Sequence, residues 1–312
     1  MFYSLLLTVF TLLEWNVENL FDCQHDTLKQ DEEFLPDGSH HWTPYRYWQK
    51  LNRIGQTIIA TGSSEDDYPL PDLVALCEVE NDSVLRDLTQ RSLLRNARYE
   101  YVMTQSPDVR GIDVALLYSP FTFSLIAHHS ISIPSLRGMR PTRDILYAAG
   151  MTTGGDTLHV FVVHAPSRSG GEQSTRRFRL HVADVLLRAV DSVRNVSTNA
   201  KIIITGDFND YASSPSLKQL AAHQLIDVSS HATGTHGARG TYCYRGLWGS
   251  LDHIFVSPAI ADSCQSCYVF DAPYLLEPDD KYNSVKPKRC FAGPAYLGGI
   301  SDHLPLMAVF QL

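Results

Sequence analysis

Ile202-Ile203-Ile204-Thr205-Gly206-Asp207-Phe208-Asn209-Asp210 is the stretch that decides the fold class. Three consecutive isoleucines are β-branched and apolar, which suits a pleated strand covered on both faces. Polar residues follow Gly206 at once, so the strand is buried along its length and carries Asp207, Asn209 and Asp210 at its end. If the strand continues, Asp207 and Asn209 point to the same side, because side chains alternate along it.

Outward from this run, buried strands alternate with helices. Upstream, Phe178, Val182, Val185, Leu186 and Ala189 mark the apolar stripe of a helix over Ser174–Val193. Strands are predicted at Leu73–Cys77, Tyr99–Met103, Asp113–Tyr118, Ile145–Ala149, Leu158–Val163, Asp252–Val256 and Leu306–Phe310. Thr43-Pro44 opens a helix with an N-cap and N1 pair, and Tyr47, Leu51, Ile54 and Ile58 follow on one face. A further helix is expected over Ser83–Leu94. Helices between buried strands imply sheets covered by helices, an α/β layered fold. Ile112–Pro120 echoes Leu251–Pro258, a hint of two related half-structures.

No fixed-period repeat or Pro/Ser-rich linker divides the 312 residues, so one domain over 1–312 is expected. The apolar content of 44% and charged content of 19% are those of a soluble globular protein. A net charge of −8 argues against charge-driven adhesion to nucleic acid or anionic membrane. A bound cation and local arginines can still reverse the field at one site.

Met1–Leu13 is apolar but lacks a basic leader and a small-residue cleavage site, and it is short for a bilayer span. Its end runs into Glu14-Trp15-Asn16-Val17 as a buried strand, leaving residues 1–7 as a tail or the remnant of an export signal. Cytoplasmic and exported locations both stay open. No stable membrane insertion is expected, and the chain is expected to be a monomer. Cys264-x-x-Cys267 has no matching second pair for zinc. The six cysteines are expected to be loop thiols, or to form one disulfide.

Five blocks place metal-competent polar residues where an apolar strand ends. They are Trp15–Leu20, Leu76–Asn81, Val163–Gly171, Thr205–Asp210, and Asp252-His253 together with Ser301–Pro305. Singly, each is ordinary turn chemistry. Together they suggest a ligand site, because sites on α/β sheets gather at strand ends. Their residue types suit phosphodiester hydrolysis. A hard cation such as Mg²⁺ prefers carboxylate and water oxygens, a base orients the attacking water, and an imidazole held by an Asp meets developing charge.

In this order, the blocks resemble the endonuclease/exonuclease/phosphatase superfamily, the fold of DNase I, abasic-site endonucleases, sphingomyelinases and inositol-phosphate phosphatases. The resemblance runs from Trp15-Asn16-Val17-Glu18-Asn19 to Ser301-Asp302-His303, with Gly206-Asp207-Phe208-Asn209 and Ser301-Asp302-His303-Leu304-Pro305 its most specific parts. It implies a four-layer sandwich of two packed, mainly antiparallel β-sheets flanked by helices, with the site at one edge. It implies Glu78 as the principal metal carboxylate, with Asn16 and Glu18 beside it and Asp302 as a second metal-side carboxylate. Asp207 matches the residue that orients or deprotonates water, and Asn209 the one that binds the scissile phosphate. His303 matches the imidazole at the phosphate and Asp252 its orienting partner. His164 stands near the leaving group, where relatives carry His or Tyr. Ser167 stands where some relatives place Asn, and Glu18 where some place Asp.

Arg168, Arg137, Arg140 and Arg143 are read either as phosphate contacts from the rim, with Ser167, or as a solvated basic loop. Asp22–His41 is expected as a rim loop, with His40 and His41 facing solvent. The expected activity is Mg²⁺-dependent phosphodiester hydrolysis of nuclease type, with Mn²⁺ as a substitute and a phosphoester, including nucleic acid, as partner. The alternative is a phosphatase or phosphodiesterase on a small molecule or lipid headgroup, such as an inositol phosphate or sphingomyelin. A catalytically inactive binding module is the third reading.

Overall fold

The computed structural model of the protein describes residues 8–62 and 70–312. The expectation for residues 1–7 lies outside the described residues. Two six-stranded sheets pack face to face. The first runs in the order β13 (Cys264–Val269), β18 (Leu306–Gln311), β1 (Val9–Leu20), β2 (Leu73–Val79), β4 (Asp113–Tyr118), β3 (Glu100–Met103). The second runs β5 (Phe123–Ile131), β6 (Ile145–Thr152), β7 (Thr157–His164), β8 (Lys201–Asp207), β12 (Asp252–Val256), β9 (Ile226–Asp227). Three two-stranded ribbons lie outside them: β10 (Tyr242–Tyr244) with β11 (Leu247–Gly249), β14 (Leu276–Asp279) with β15 (Ser284–Pro287), and β16 (Phe291–Ala292) with β17 (Ala295–Tyr296).

Each large sheet contains one parallel pair, β1 with β2 and β7 with β8, and its other pairs are antiparallel. A helix makes each parallel crossover: α1 (Pro44–Thr61) and α3 (Glu172–Val196). The two strands that echo each other in sequence, β4 and β12, occupy the same place. Each is antiparallel to the second strand of the parallel pair and is followed outward by a short edge strand. The echo therefore coincides with a repeated strand order.

Alternation along the strands explains the unbroken apolar runs. Leu158, Val160, Val162 and Ile203 join the cluster that also holds Leu12, Leu76 and Leu116 of the first sheet. Phe161, Val163, Ile202 and Ile204 join the cluster beneath α3 and α4 (Pro215–Ala222), with Val182, Leu186 and Leu217. Both faces of the second sheet are thus covered, one by a sheet and one by helices.

Several expectations need correction. The helix expected over Ser83–Leu94 is broken into α2 (Asp82–Arg86), a π turn over Asp87–Arg91 and a 3₁₀ turn over Leu93–Ala97. Ser92 is extended, and its hydroxyl accepts from the Leu94 amide at 3.0 Å, starting a new turn where the helix would continue. The six cysteines are free, and Cys77 and Cys290 are buried instead of lying in open loops. His40 stacks on Phe34 with ring centroids 4.6 Å apart, so it packs while His41 stays exposed. A short helix, α5 (Pro258–Ala261), follows β12. Among the described residues, no helix is long and apolar enough to cross a membrane.

Candidate active site

The ends of β1, β2, β7, β8 and β12, with the Ser301–His303 turn, converge on one cleft of about 580 Å³. Local backbone irregularity aims the side chains into it. Pairing of β1 shifts register between Asn16 and Leu20, and pairing of β2 shifts between Cys77 and Val79. Glu18, Asn19 and Glu78 in these irregularities have φ of 50°, 53° and 67°, a left-handed conformation rarely adopted by such residues. Bulges of this kind re-aim side chains out of the strand's alternation. Gly206 (φ 136°) lies so close to β7 that a Cβ would sit 1.9 Å from the Val163 carbonyl oxygen. Only glycine fits there, and the close approach sets Asp207 beside His164, its register partner.

Asp207 is the hub. Its Oδ2 accepts from Asn16 Nδ2 at 3.0 Å and from Asn209 Nδ2 at 3.1 Å, and its Oδ1 accepts from the Asn209 amide at 2.8 Å. Asn209 has φ 52°, beyond the last residue of β8, so a left-handed turn brings it back to Asp207. The expected strand alternation does not act here. Asn209 Nδ2 also donates to the Ala165 carbonyl at 3.1 Å. Burial pushes the Asp207 carboxyl up to about 7, with Asp252 adding to it, while His303 and the donors pull the other way.

Asp252 and His303 meet: Oδ2 of Asp252 lies 2.7 Å from Nδ1 of His303. The Thr241 hydroxyl also donates to Asp252 Oδ2. The imidazole is fixed further by the Ser301 hydroxyl, which accepts from the His303 amide at 3.0 Å and donates to the Asn16 carbonyl at 2.6 Å. Burial alone would lower the His303 pKa, but Asp252 overrides it and holds the ring protonated well above its ordinary range. His164 goes the other way. Burial, then Arg143 and Arg110, hold it well below its ordinary value, so it is neutral. Its Nε2 lies 3.6 Å from Asp207 Oδ2 and 3.8 Å from Glu78 Oε1. Two histidines in one cleft are therefore shifted in opposite directions, His303 up and His164 down.

Asn16, Glu18, Glu78 and Asp302 all line the cleft. Glu78 Oε2 accepts from the Asn19 amide at 2.8 Å. The Glu18 carboxylate accepts from the amides of Cys290 at 2.7 Å and Phe291 at 3.3 Å, with Arg289 Nε at 3.7 Å. Burial, reinforced by Asp302, raises the Glu18 carboxyl to about 7. Arg289 also reaches Asp302 at 3.1 Å. Among the described residues, the ligand-type atoms that cluster within 4.8 Å belong to Asp207, Asp252 and His303. His303 in this trio is held by Asp252 and raised above its ordinary value, which favours donation over ligation by its ring.

Arg168 lies over the Tyr211 ring, 4.3 Å from its centroid, at the cleft mouth, and Ser167 lines the wall. Arg143 is a correction. It is buried between Asp108, at 3.2 Å, and the Ala165 carbonyl, at 2.8 Å, and is neither a rim contact nor part of a solvated loop. Sequence reading missed Tyr242, which packs on His303 with centroids 5.0 Å apart, and the cleft arginines Arg110 and Arg289. Arg110 precedes a buried strand, the same signal that marked the other blocks; Tyr242 lies on a short ribbon with none.

Fold and cleft define an α/β sandwich with an acid–imidazole site at one sheet edge. The chain belongs to the Endonuclease/Exonuclease/phosphatase family, whose model matches residues 11–311. Its name covers enzymes that cleave phosphoesters. No curated protein matches the sequence. Solved structures similar to the chain include an endonuclease/exonuclease/phosphatase family protein of Bacteroides thetaiotaomicron, at 16% identity and TM-score 0.63, covering 98% of this chain and 99% of that one. A mannosyl-6-phosphatase of the same organism is 15% identical with TM-score 0.64, over 96% of this chain and 98% of that one. The human nocturnin catalytic domain is 16% identical with TM-score 0.58, over 97% and 94%. At these identities the likeness is one of fold.

Proposed function

We propose that the protein is a divalent-metal-dependent phosphoester hydrolase, with phosphodiesters of the nuclease type as its substrate class. The observation that carries this is one cleft in which Asp207, hydrogen-bonded to Asn16 and Asn209, lies 3.6 Å from His164, the His303 imidazole is held 2.7 Å from Asp252, and Glu18, Glu78 and Asp302 line the wall.

The oxygen donors fit Mg²⁺ or Mn²⁺. Glu78, Asn16 and Asp302 line the cleft, whereas the Cys77 thiol is buried and no cysteine lines it. Bound there, the metal supplies charge stabilisation at the phosphate oxygens. Asp207 accepts the proton of the attacking water, which its raised affinity for protons favours. Asn209, whose Nδ2 donates to both Asp207 and the Ala165 carbonyl, holds the Asp207 carboxylate in place for that step. The His303 imidazolium opposes the negative charge that grows on the phosphate. His164, 3.6 Å from Asp207 and 3.8 Å from Glu78, is assigned in this reading to the leaving group.

A second reading, a small-molecule or lipid-headgroup phosphoester, is favoured by the net charge of −8. A panel with Mg²⁺ or Mn²⁺ tests both: plasmid, single-stranded and abasic DNA, RNA, inositol phosphates and sphingomyelin. Cleavage of nucleic acid supports the first reading; cleavage confined to inositol phosphates or sphingomyelin selects the second. No turnover across the panel would overturn the first reading.

A further inference from the structure

Among the described residues, three arginines line the catalytic cleft: Arg110, Arg168 and Arg289. Two of them are already matched to carboxylates. Arg110 Nε lies 3.9 Å from Asp108, and Arg289 reaches Asp302 at 3.1 Å and Glu18 at 3.7 Å. Arg168 has no carboxylate within ion-pair reach among the described residues. Its guanidinium instead lies over the Tyr211 ring, 4.3 Å from the centroid, and donates from Nη2 to the Tyr211 hydroxyl at 3.2 Å. A guanidinium stacked on one face keeps the rest of its donor fork available to an anion.

The two partners are anchored unequally. Arg168 sits in the irregular loop between β7 and α3, whose bonds include the Ser169 amide to the Ser167 hydroxyl and the Gly171 amide to the Arg168 carbonyl. Tyr211 follows Asp210, which is 1% exposed and fixed from three sides. Arg179 of α3 lies 2.7 Å from its carboxylate, the Ser216 hydroxyl donates to the same group, and His253 Nε2 faces its carbonyl at 3.1 Å. The ring is also seated on β11. A Cβ at Gly249 would come within 2.5 Å of Tyr211 Cε1, so a side chain there would displace the ring. Control therefore runs from the fixed tyrosine to the loop arginine.

We propose that Tyr211 is a positioning residue: seated on Gly249, it holds Arg168 at the cleft mouth to bind the phosphate that is hydrolysed. The inference rests on the phosphoester hydrolase reading for its substrate, whereas phosphate capture by Arg168 is measurable without turnover. Tyr211 acts through Arg168 and not on the reacting atoms. Without the ring, a long side chain with many rotamers must be ordered each time phosphate binds, and affinity falls.

Arg168→Met, Tyr211→Leu, Tyr211→Phe and the double variant of Arg168→Met with Tyr211→Leu are compared with Mg²⁺ on the best substrate of the panel. Arg168→Met should raise KM about tenfold or more. Tyr211→Leu should raise it about three- to fivefold, with kcat changed less. Tyr211→Phe keeps the ring face and should stay within about twofold of the parent. In the double variant the leucine should add nothing, because its effect passes through the guanidinium. An unchanged KM in Tyr211→Leu, an effect that persists when Arg168 is already methionine, or a phenylalanine as poor as the leucine overturns the proposal. Nuclear magnetic resonance gives a readout free of turnover. The Arg168 Nε–H signal, assigned by its loss in Arg168→Met, should shift as inorganic phosphate is added with Mg²⁺. Tyr211→Leu should need about threefold or more phosphate for the same shift. A signal indifferent to phosphate, or one that titrates equally in both proteins, overturns the proposal. If no substrate of the panel is hydrolysed, the hydrolase reading fails, while the phosphate titration still decides the pair.

Discussion

At the scale of single residues, the Asp252–His303 pair is the part of the site most open to experiment. Removing the imidazole with His303→Ala is expected to lower kcat by about 10²–10⁴-fold. Asp252→Asn should lower it similarly or less, and the double variant should fall short of the product of the two, because the pair works as one unit. Steady-state kinetics on the four proteins check this; independent effects would separate the residues. The pH profile carries a sign. Asp207 must lose its proton to act as base, so kcat/KM rises through about pH 7. His303 stays protonated well above 6.5 because of Asp252, so activity declines only on the alkaline side. Asp252→Asn should move that alkaline limb to lower pH, and an unmoved limb would detach Asp252 from the imidazole's charge. Glu78 tests the metal: chelation and Glu78→Gln should each abolish turnover and leave the far-ultraviolet dichroism unchanged. Full activity in excess chelator would remove the metal from the reaction.

At the scale of elements, the cleft depends on strands that stop being regular where they reach it. The shifts in β1 and β2 and the left-handed turn after β8 place Glu18, Glu78 and Asn209 where plain alternation would not. Gly206 is the tightest of these points. Gly206→Ala puts a methyl into the Val163 carbonyl and forces φ 136° on a residue with a Cβ. It is expected to destabilise the fold by more than ~1 kcal/mol, read as a lower urea midpoint. Asp207 and His164 face each other across this contact, so kcat should fall even in protein that remains folded. An alanine variant of unchanged midpoint and rate would show that the strands can part without consequence.

The whole molecule adds a pH dependence of stability outside the chemistry. His253 is buried, with Nδ1 3.1 Å from Asp227 Oδ2 and Nε2 3.1 Å from the Asp210 carbonyl. Both ring nitrogens face acceptors, which suits the protonated ring. Burial would lower its pKa, but Asp227 raises it on balance. For Asp227, burial would raise the pKa, and His253 lowers it on balance. The His253 contribution is therefore complete below 6.5 and is lost as pH rises through its folded value. The Asp227 contribution is present above 3.8 and is lost as pH falls through its folded value. Stability should peak between these limits. His253→Gln should cost about 3–5 kcal/mol near pH 5.5 and less near pH 9, by urea unfolding. An equal loss at both values would mean that the ring is neutral in the fold. Net charge predicts a second whole-molecule property. If DNA is a substrate, the logarithm of affinity against that of salt should show a shallow slope, since few phosphates are neutralised. A slope reporting about eight or more released ions would contradict that.

By itself, the sequence determined which strands are buried and where polar residues interrupt them. Ile202–Ile204, Asp113–Tyr118 and the Thr43-Pro44 helix start were readable because burial and capping leave local signatures. It also supplied Asp207, His303 and Asp252 as candidates, since each follows or opens an apolar run. Only the tertiary structure decided their relations. Asp252 and His303, 51 positions apart in sequence, close to 2.7 Å because β12 and the turn before β18 end at the same edge. Arg143 became a buried brace, and Arg110 a cleft residue, because three-dimensional packing chose their partners, Asp108 and the Ala165 carbonyl among them. Periodicity reports whether a side chain is buried, not what it meets there. The charge of an imidazole depends on what it meets: His164 is neutral and His303 charged in one cleft, for reasons that lie across the fold.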